Sequence, residues 1–427
     1  VGFDKRAVEE LSALHREPDW LRLRRLASFD VFERTALPDT KTDEEWRQVD
    51  LKPLSLETLR PFEQPDGTAS AEIIPEAAAV LGQRGTSPVA ARNERLDGLL
   101  ARQGVLFGPL WAAAREHREL VEQRLFTAVR ADRDKFAALH AALFSGGTFL
   151  YVPDGVTLEQ PLISQYWASA SGSTALPHTL IVAGKGSRFQ YVDEFIGPAG
   201  AEPTLVSGSA EVFLDEGADV GYVAVQRWGT KAWQFANQRF HVGRDARLRM
   251  VDLALGGRFA RLRVDVIMDG PGGQAELKGL FFGTGEQVFD FRTLQDHIAP
   301  HTQSDLLFKG ALRDAARSVY VGSVRVEKDA RGTSANQANR NLLLSEKARA
   351  TSEPILEILN NDILRCSHGA TVGPVDPEHL FYLTSRGIPG PVAQRMLVEG
   401  FLKEVLDRVP VQHVRNLVEQ ELATRIG

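Results

Sequence analysis

Three short runs, Glu216-Gly217-Ala218-Asp219-Val220, Gly243-Arg244-Asp245-Ala246-Arg247-Leu248 and Gly272-Gly273-Gln274-Ala275-Glu276-Leu277, share one pattern: a turn rich in Gly and Asp, a small residue, then the start of an apolar strand. Their alanines recur about 28 and 29 residues apart. A unit of that length cannot bury a core alone, whereas stacked copies bury their apolar faces on one another, so the recurrence predicts coils of a β-solenoid. Later copies, Lys328-Asp329-Ala330-Arg331 and Glu346-Lys347-Ala348-Arg349, come closer together. The surrounding texture agrees. From Thr148 to about Cys366, runs such as Phe149-Leu150-Tyr151-Val152, Phe189-Gln190-Tyr191-Val192 and Leu248-Arg249-Met250-Val251 alternate with Gly, Asp and Lys turns and leave scarcely room for a helix. A β-propeller would have longer blades and a pair of sandwiches would show no repeat. The polar run Thr333-Ser334-Ala335-Asn336-Gln337-Ala338-Asn339-Arg340-Asn341 is expected to stack its amides in ladders along the coils.

Outside this region the period changes. Asp4 to His15 and Pro18 to Arg34 have helical spacing, with Arg22, Arg24 and Arg25 expected on a solvated face. Pro38, Pro53, Pro61, Pro65 and Pro75 break any long helix between Leu37 and about Ser87, and Trp46 is either a docking aromatic or a packing anchor. Helices are expected again from about Pro109 to Val129 and from Asp132 to Phe144, stopping at Ser145-Gly146-Gly147. Beyond Val372, Asp376-Pro377 reads as an N-cap with proline at the first helical position. Pro391 opens a helix to about Arg408 whose Leu397, Phe401 and Leu402 share a broad apolar face, and Val411 to Ile426 forms the last helix. The expected fold is mainly β: a right-handed parallel β-helix over 148–373, a mostly helical region over 1–147, and a helical region over 374–427 that caps the solenoid and offers a partner surface.

Composition narrows the function. A net charge of −6 and a pI near 6.0 disfavour nucleic-acid binding, which needs a concentrated basic surface. No apolar run approaches the roughly 18 residues of a membrane span, and the first residues lack a signal-peptide core, so a cytoplasmic protein is expected. Cys366 is the single cysteine, which excludes an intramolecular disulfide and a resident cluster held by this chain's own thiolates. In an extended Arg365-Cys366-Ser367-His368-Gly369, Cys366 and His368 point to one side and Ser367 to the other. A thiol and an imidazole on one patch are donors for soft or borderline metals, although either residue alone is more often structural. Asp290, Asp296 and Asp305 are candidates for the acid and base of a sugar-cleaving solenoid, and His297 and His301, separated by Pro300, are expected in a structural turn. Gly184-Lys185-Gly186 lacks the helix a phosphate cradle requires.

Gly147-Thr148-Phe149-Leu150-Tyr151-Val152-Pro153, Asn339-Arg340-Asn341-Leu342-Leu343-Leu344-Ser345, Cys366 to Gly373, Asp376 to Ile388 and, more weakly, Asp43-Glu44-Glu45-Trp46-Arg47 resemble the SufB/SufD family of iron–sulfur cluster assembly scaffolds, over nearly the whole chain. SufB-like chains carry His-Glu where this one has His368-Gly369, and usually further cysteines, so the likeness is to the SufD branch. The resemblance implies a non-enzymatic scaffold subunit of a SufBCD complex, dimeric with a SufB-like subunit through the solenoids. It implies that His368, with Cys366 beside it, helps form a transient iron–sulfur cluster at the shared interface, with no cofactor held stably by this chain alone. Each C-terminal helical region would hold a SufC-like ABC ATPase, here through Phe381, Leu397, Phe401 and Leu402, whose ATP-driven approach opens the site. A homodimer of the isolated chain is the corresponding expectation. The alternatives are a carbohydrate-active solenoid enzyme and a SufB-type subunit that carries a cluster itself.

Overall fold

The computed structural model describes residues 2–46, 49–63, 74, 76–91, 94–168, 172–197 and 202–426; Arg47, Pro65 and Pro75 lie outside them. Successive strands alternate between two sheets. Asp219–Arg227 pairs in parallel with Arg247–Ala254, and the strand between them, Ala232–Val242, pairs in parallel with Phe259–Met268 in the other sheet. The alternation continues to Ile363–Pro374 at the edge of a ten-stranded sheet and to Arg349–Ile358 at the edge of an eleven-stranded one. The result is a parallel β-solenoid of about 8 turns with helices at both ends of the chain.

Each coil therefore has two strand-turn units, which accounts for the uneven alanine spacing. Ala330 precedes Thr333–Leu343 of one sheet and Ala348 precedes Arg349–Ile358 of the other. Ala218 and Ala246 occupy equivalent corners, but Ala275 pairs with Leu248 on the strand proper, so the third copy is out of phase with the first two. The expected amide ladder is mixed in chemistry: Asn336 donates to Asp305 at 2.8 Å and accepts from the Ser367 hydroxyl at 2.8 Å, across three adjacent coils.

Between the sheets lies an apolar core that includes Val220, Leu248, Leu277, Leu306, Phe281 and Phe308. The outer faces are buried too. Val223, Val251, Leu280 and Phe282 of the ten-stranded sheet pack against Val398, Leu402, Val405, Val414 and Leu422 of the helices Gly390–Leu406 and Gln412–Ile426. On the other side Phe235 and Phe259 pack against Phe29, Phe136 and Trp46. Trp46 is thus a packing anchor, with the Arg261 guanidinium 3.8 Å over its ring.

Three expectations change. Arg25 does not face solvent: it is fully buried in an ion pair with Glu17 at 2.6 Å, and Arg24 donates to the Glu122 and Leu125 carbonyls. The helix expected from Pro109 is interrupted, as Leu110–Glu116 and Arg118–Glu122, and Phe126 follows with φ 56°. The helices Gly390–Leu406 and Gln412–Ile426 lie along a sheet face instead of capping an end. Three strands from the first 147 residues also join the sheets: Ala79–Arg84 pairs in parallel with Leu162–Trp167 and antiparallel with Ser87–Ala91, and Leu106–Pro109 pairs antiparallel with Thr148–Val152.

Candidate functional site

Ile363–Pro374 has a single strand partner, Thr333–Leu343, because no coil follows it. Its register pairs Cys366 with Ala335, Ser367 with Asn336 and His368 with Gln337. Ala335 and Gln337 are buried, and their own counterparts one coil back, Ser304 and Leu306, are buried as well. Cys366 and His368 therefore continue inward-facing columns of the solenoid, while Ser367 lies on the outer face, as the period of two requires. In the coils below these columns fill the core. At the last coil nothing among the described residues covers them, so what would be interior becomes surface.

The two donors differ in environment. Cys366 is half-buried against Val324, Val326, Ala335, Leu356 and Ile363, and this burial pushes its thiol up from its ordinary pKa of 9.0, which keeps it protonated at neutral pH. His368 is exposed. On the opposite face of the strand, a Cβ added to the next residue, Gly369, would meet nothing within 4 Å. Leu364, 75% exposed, with Ile355, Ile358 and Val372, makes the surrounding rim apolar. No cluster of three His, Cys, Asp or Glu side chains suited to a metal ion occurs among the described residues. The strand end thus presents two donors, half or fewer of the ligands that a tetrahedral metal site needs.

The carboxylates of the rival reading are not brought together. Asp290 is buried, held by Arg261 at 2.6 Å and Arg292 at 2.8 Å, and lies with Asp296 on Val288–His297 of the eleven-stranded sheet. Asp305 belongs to the opposite sheet, where it pairs with Lys278. His297 is buried between the Thr302 and Ser304 hydroxyls, each at 2.8 Å, and burial pushes its pKa down to about 3, fitting the structural role expected for it.

Of the expected partner-binding residues, Leu402 is 0% exposed and packs on the sheet, so it cannot touch a partner in the folded chain. Phe401 is half-buried beneath Lys309, whose ammonium lies 4.6 Å from the ring centroid, and Leu397 is half-buried. Phe381 alone of the four stands free, at 73% exposure, and Tyr382 on the same helix and Val392 and Met396 on the next are exposed apolar residues that helical periodicity had not singled out. Also unforeseen was a buried chain, His140 Nε2 to His178 Nδ1 at 3.0 Å and His178 Nε2 to Glu211 at 3.0 Å. The available signal was an ionisable residue in each of two otherwise apolar strands, His178–Ala183 and Ser209–Leu214.

The fold is thus a helix-clad parallel solenoid whose last strand carries one thiol and one imidazole at an uncovered end. Residues 166–401 match the SufBD core domain of the SUF system for FeS cluster assembly, and residues 90–163 match the SufBD protein N-terminal region. The chain is 33% identical to the iron-sulfur cluster assembly protein SufD of Bacillus subtilis, over 97% of this chain and 96% of that protein. It is 29% identical to an iron-sulfur cluster assembly SufBD family protein of Staphylococcus saprophyticus, over 100% of this chain and 94% of the other. The chain belongs to the SufBD family, and its role lies in iron–sulfur cluster assembly. No helix among the described residues is long and apolar enough to cross a membrane.

Proposed function

We propose that the chain is a non-enzymatic scaffold subunit that supplies one side of a cluster-forming site, completed by a SufB-like subunit docked on the uncovered solenoid end. The observation that carries this reading is the placement of Cys366 and His368 on inward columns of the outermost strand, where the fold provides no next coil. A partner solenoid continuing the stack would cover the apolar rim, bring its own donors over the patch and exclude water and oxygen from the nascent cluster. His368, exposed and unencumbered, is the stronger ligand candidate; Cys366 must first lose a proton that burial holds in place. Replacing His368 by alanine is expected to lower iron and sulfide incorporation in the reconstituted three-component complex about tenfold or more while leaving the subunits associated. Unchanged cluster yield would overturn the site.

The same reading assigns the surface of Phe381, Tyr382, Val392 and Met396 to a SufC-like ATPase. Its exposure and apolar character support a partner there. Phe381→Ala is expected to weaken ATPase binding by about thirtyfold in a titration without altering thermal stability. Leu402→Ala should do the reverse, costing about 2–5 kcal/mol of stability through a core cavity while affecting binding little in the folded fraction. Equal binding losses from both variants would count against the assignment.

A further inference from the structure

Directly beneath His368 in its inward column, one coil back, stands Gln337. The side chain is 1% exposed, yet its amide oxygen is buried without a hydrogen-bond partner. The orientation of the amide is not arbitrary: Nε2 donates to the Gly322 carbonyl across the solenoid at 3.0 Å, which turns Oε1 away from that sheet. Gly322 makes this possible, because a Cβ there would collide with Gln337 Nε2. An orphan acceptor one coil beneath a ring with a nitrogen to donate is open to take that nitrogen's proton when the ring is ordered. On the outer face, Ser367 donates to Asn336 at 2.8 Å and fixes the strand between the two donor residues, so the His368 backbone keeps its place over Gln337.

We propose that Gln337 is the positioning residue of His368: its Oε1 accepts the proton of one imidazole nitrogen, which selects the tautomer and turns the other nitrogen, unprotonated, toward the open end for a metal. Ligating histidines generally use their second nitrogen in this way, and the acceptor both orients the ring and strengthens the ligand. The inference rests on the reading that His368 is a ligand, but it makes a claim about the ring that holds without any metal present.

The test is the tautomer ratio of His368 in the full chain, measured by long-range proton–nitrogen correlation with labelled histidine and assigned by the signals lost in His368→Ala. Gln337→Leu, which keeps volume and removes the acceptor, is expected to shift the ratio by about tenfold. Gly322→Ala, which displaces the amide without changing its chemistry, should shift it the same way, and serves also if the first variant does not fold. Asn339→Leu, two residues along the same strand, is the structural control and should leave the ratio as it is. An unchanged ratio in both Gln337→Leu and Gly322→Ala, or an equal shift in Asn339→Leu, overturns the proposal. A failure of His368→Ala to lower cluster yield would instead remove the ligand reading, so the two failures are told apart.

Discussion

Replacing Glu211 by alanine is expected to cost about 3–5 kcal/mol of stability. The reason is the number of groups that converge on it. Its oxygens accept the backbone N–H groups of Phe126 at 2.6 Å, Ala128 at 2.7 Å and Val129 at 2.8 Å, as well as His178 Nε2 at 3.0 Å, the last three out of solvent and the first half-buried. Alanine leaves these donors buried and unpaired. The chain beyond is affected too: with His178 donating to Glu211, its Nδ1 must accept from His140, so a single carboxylate sets the tautomers of both rings. Burial, with His178 and Arg25 nearby, holds the His140 pKa well below its ordinary value, so His140 cannot compensate by ionising at neutral pH. The bonds also hold Phe126 in its left-handed conformation, φ 56°, against the His178 ring 4.6 Å away. A denaturant midpoint and amide exchange at 126–129 measure the effect; a wild-type midpoint with wild-type protection would refute it. Glu211→Gln should fall between, since its amide keeps one acceptor and turns a donor toward donors.

What could be read from the chain follows from how local each determinant is. A solenoid corner must be small and tightly turned, so Ala218 and Ala246 mark it within a few residues of sequence, and the fold class was legible. That two corners per coil use the same signal was not, because nothing in Lys328-Asp329-Ala330 or Glu346-Lys347-Ala348 says which sheet follows. The donor pair was legible because a period of two fixes Cys366 and His368 on one side whatever the strand packs against. The side turned out to be the core side, which becomes surface only because the stack ends there. Amphipathic faces are harder: Leu402 and Phe381 are both apolar helical residues, and only the sheet beneath Gly390–Leu406 decides that the first is covered. The same limit explains Arg25. Among Arg22, Arg24 and Arg25 the sequence offers no distinction, since the groups that bury Arg25 include the Ala142 carbonyl and the Phe144 ring, more than a hundred positions away.

Arg25 also supports the second large effect, the loss expected from Arg25→Met. The guanidinium donates to Glu17 through Nε at 2.8 Å and Nη2 at 2.6 Å, donates to the Ala142 carbonyl at 3.1 Å, and lies 3.6 Å from the Phe144 ring centroid. Both charges are fully buried. Removing one leaves the other uncompensated, so the variant should lose about 3–5 kcal/mol at pH 7, far more than the pair contributes over an apolar replacement of both. The pH dependence separates this cause from simple loss of packing. Burial alone would push the Glu17 carboxyl up, but Arg25, assisted by His15, outweighs it and holds the folded-state pKa below the ordinary 4.5. In the parent protein that term stabilises the fold above pH 4.5 and is lost as pH falls through the lowered value. In the variant the sign reverses: burial without the guanidinium raises the carboxyl, which then takes up a proton in the folded state, and the deficit grows with rising pH. Denaturant midpoints at pH 4 and pH 7 should therefore show a markedly larger deficit at the higher pH, and Glu17→Gln added to Arg25→Met should recover much of it there. A deficit equal at both pH values and unrelieved by the second substitution would assign the loss to the missing contacts with Phe144 and Ala142 instead of to a stranded charge.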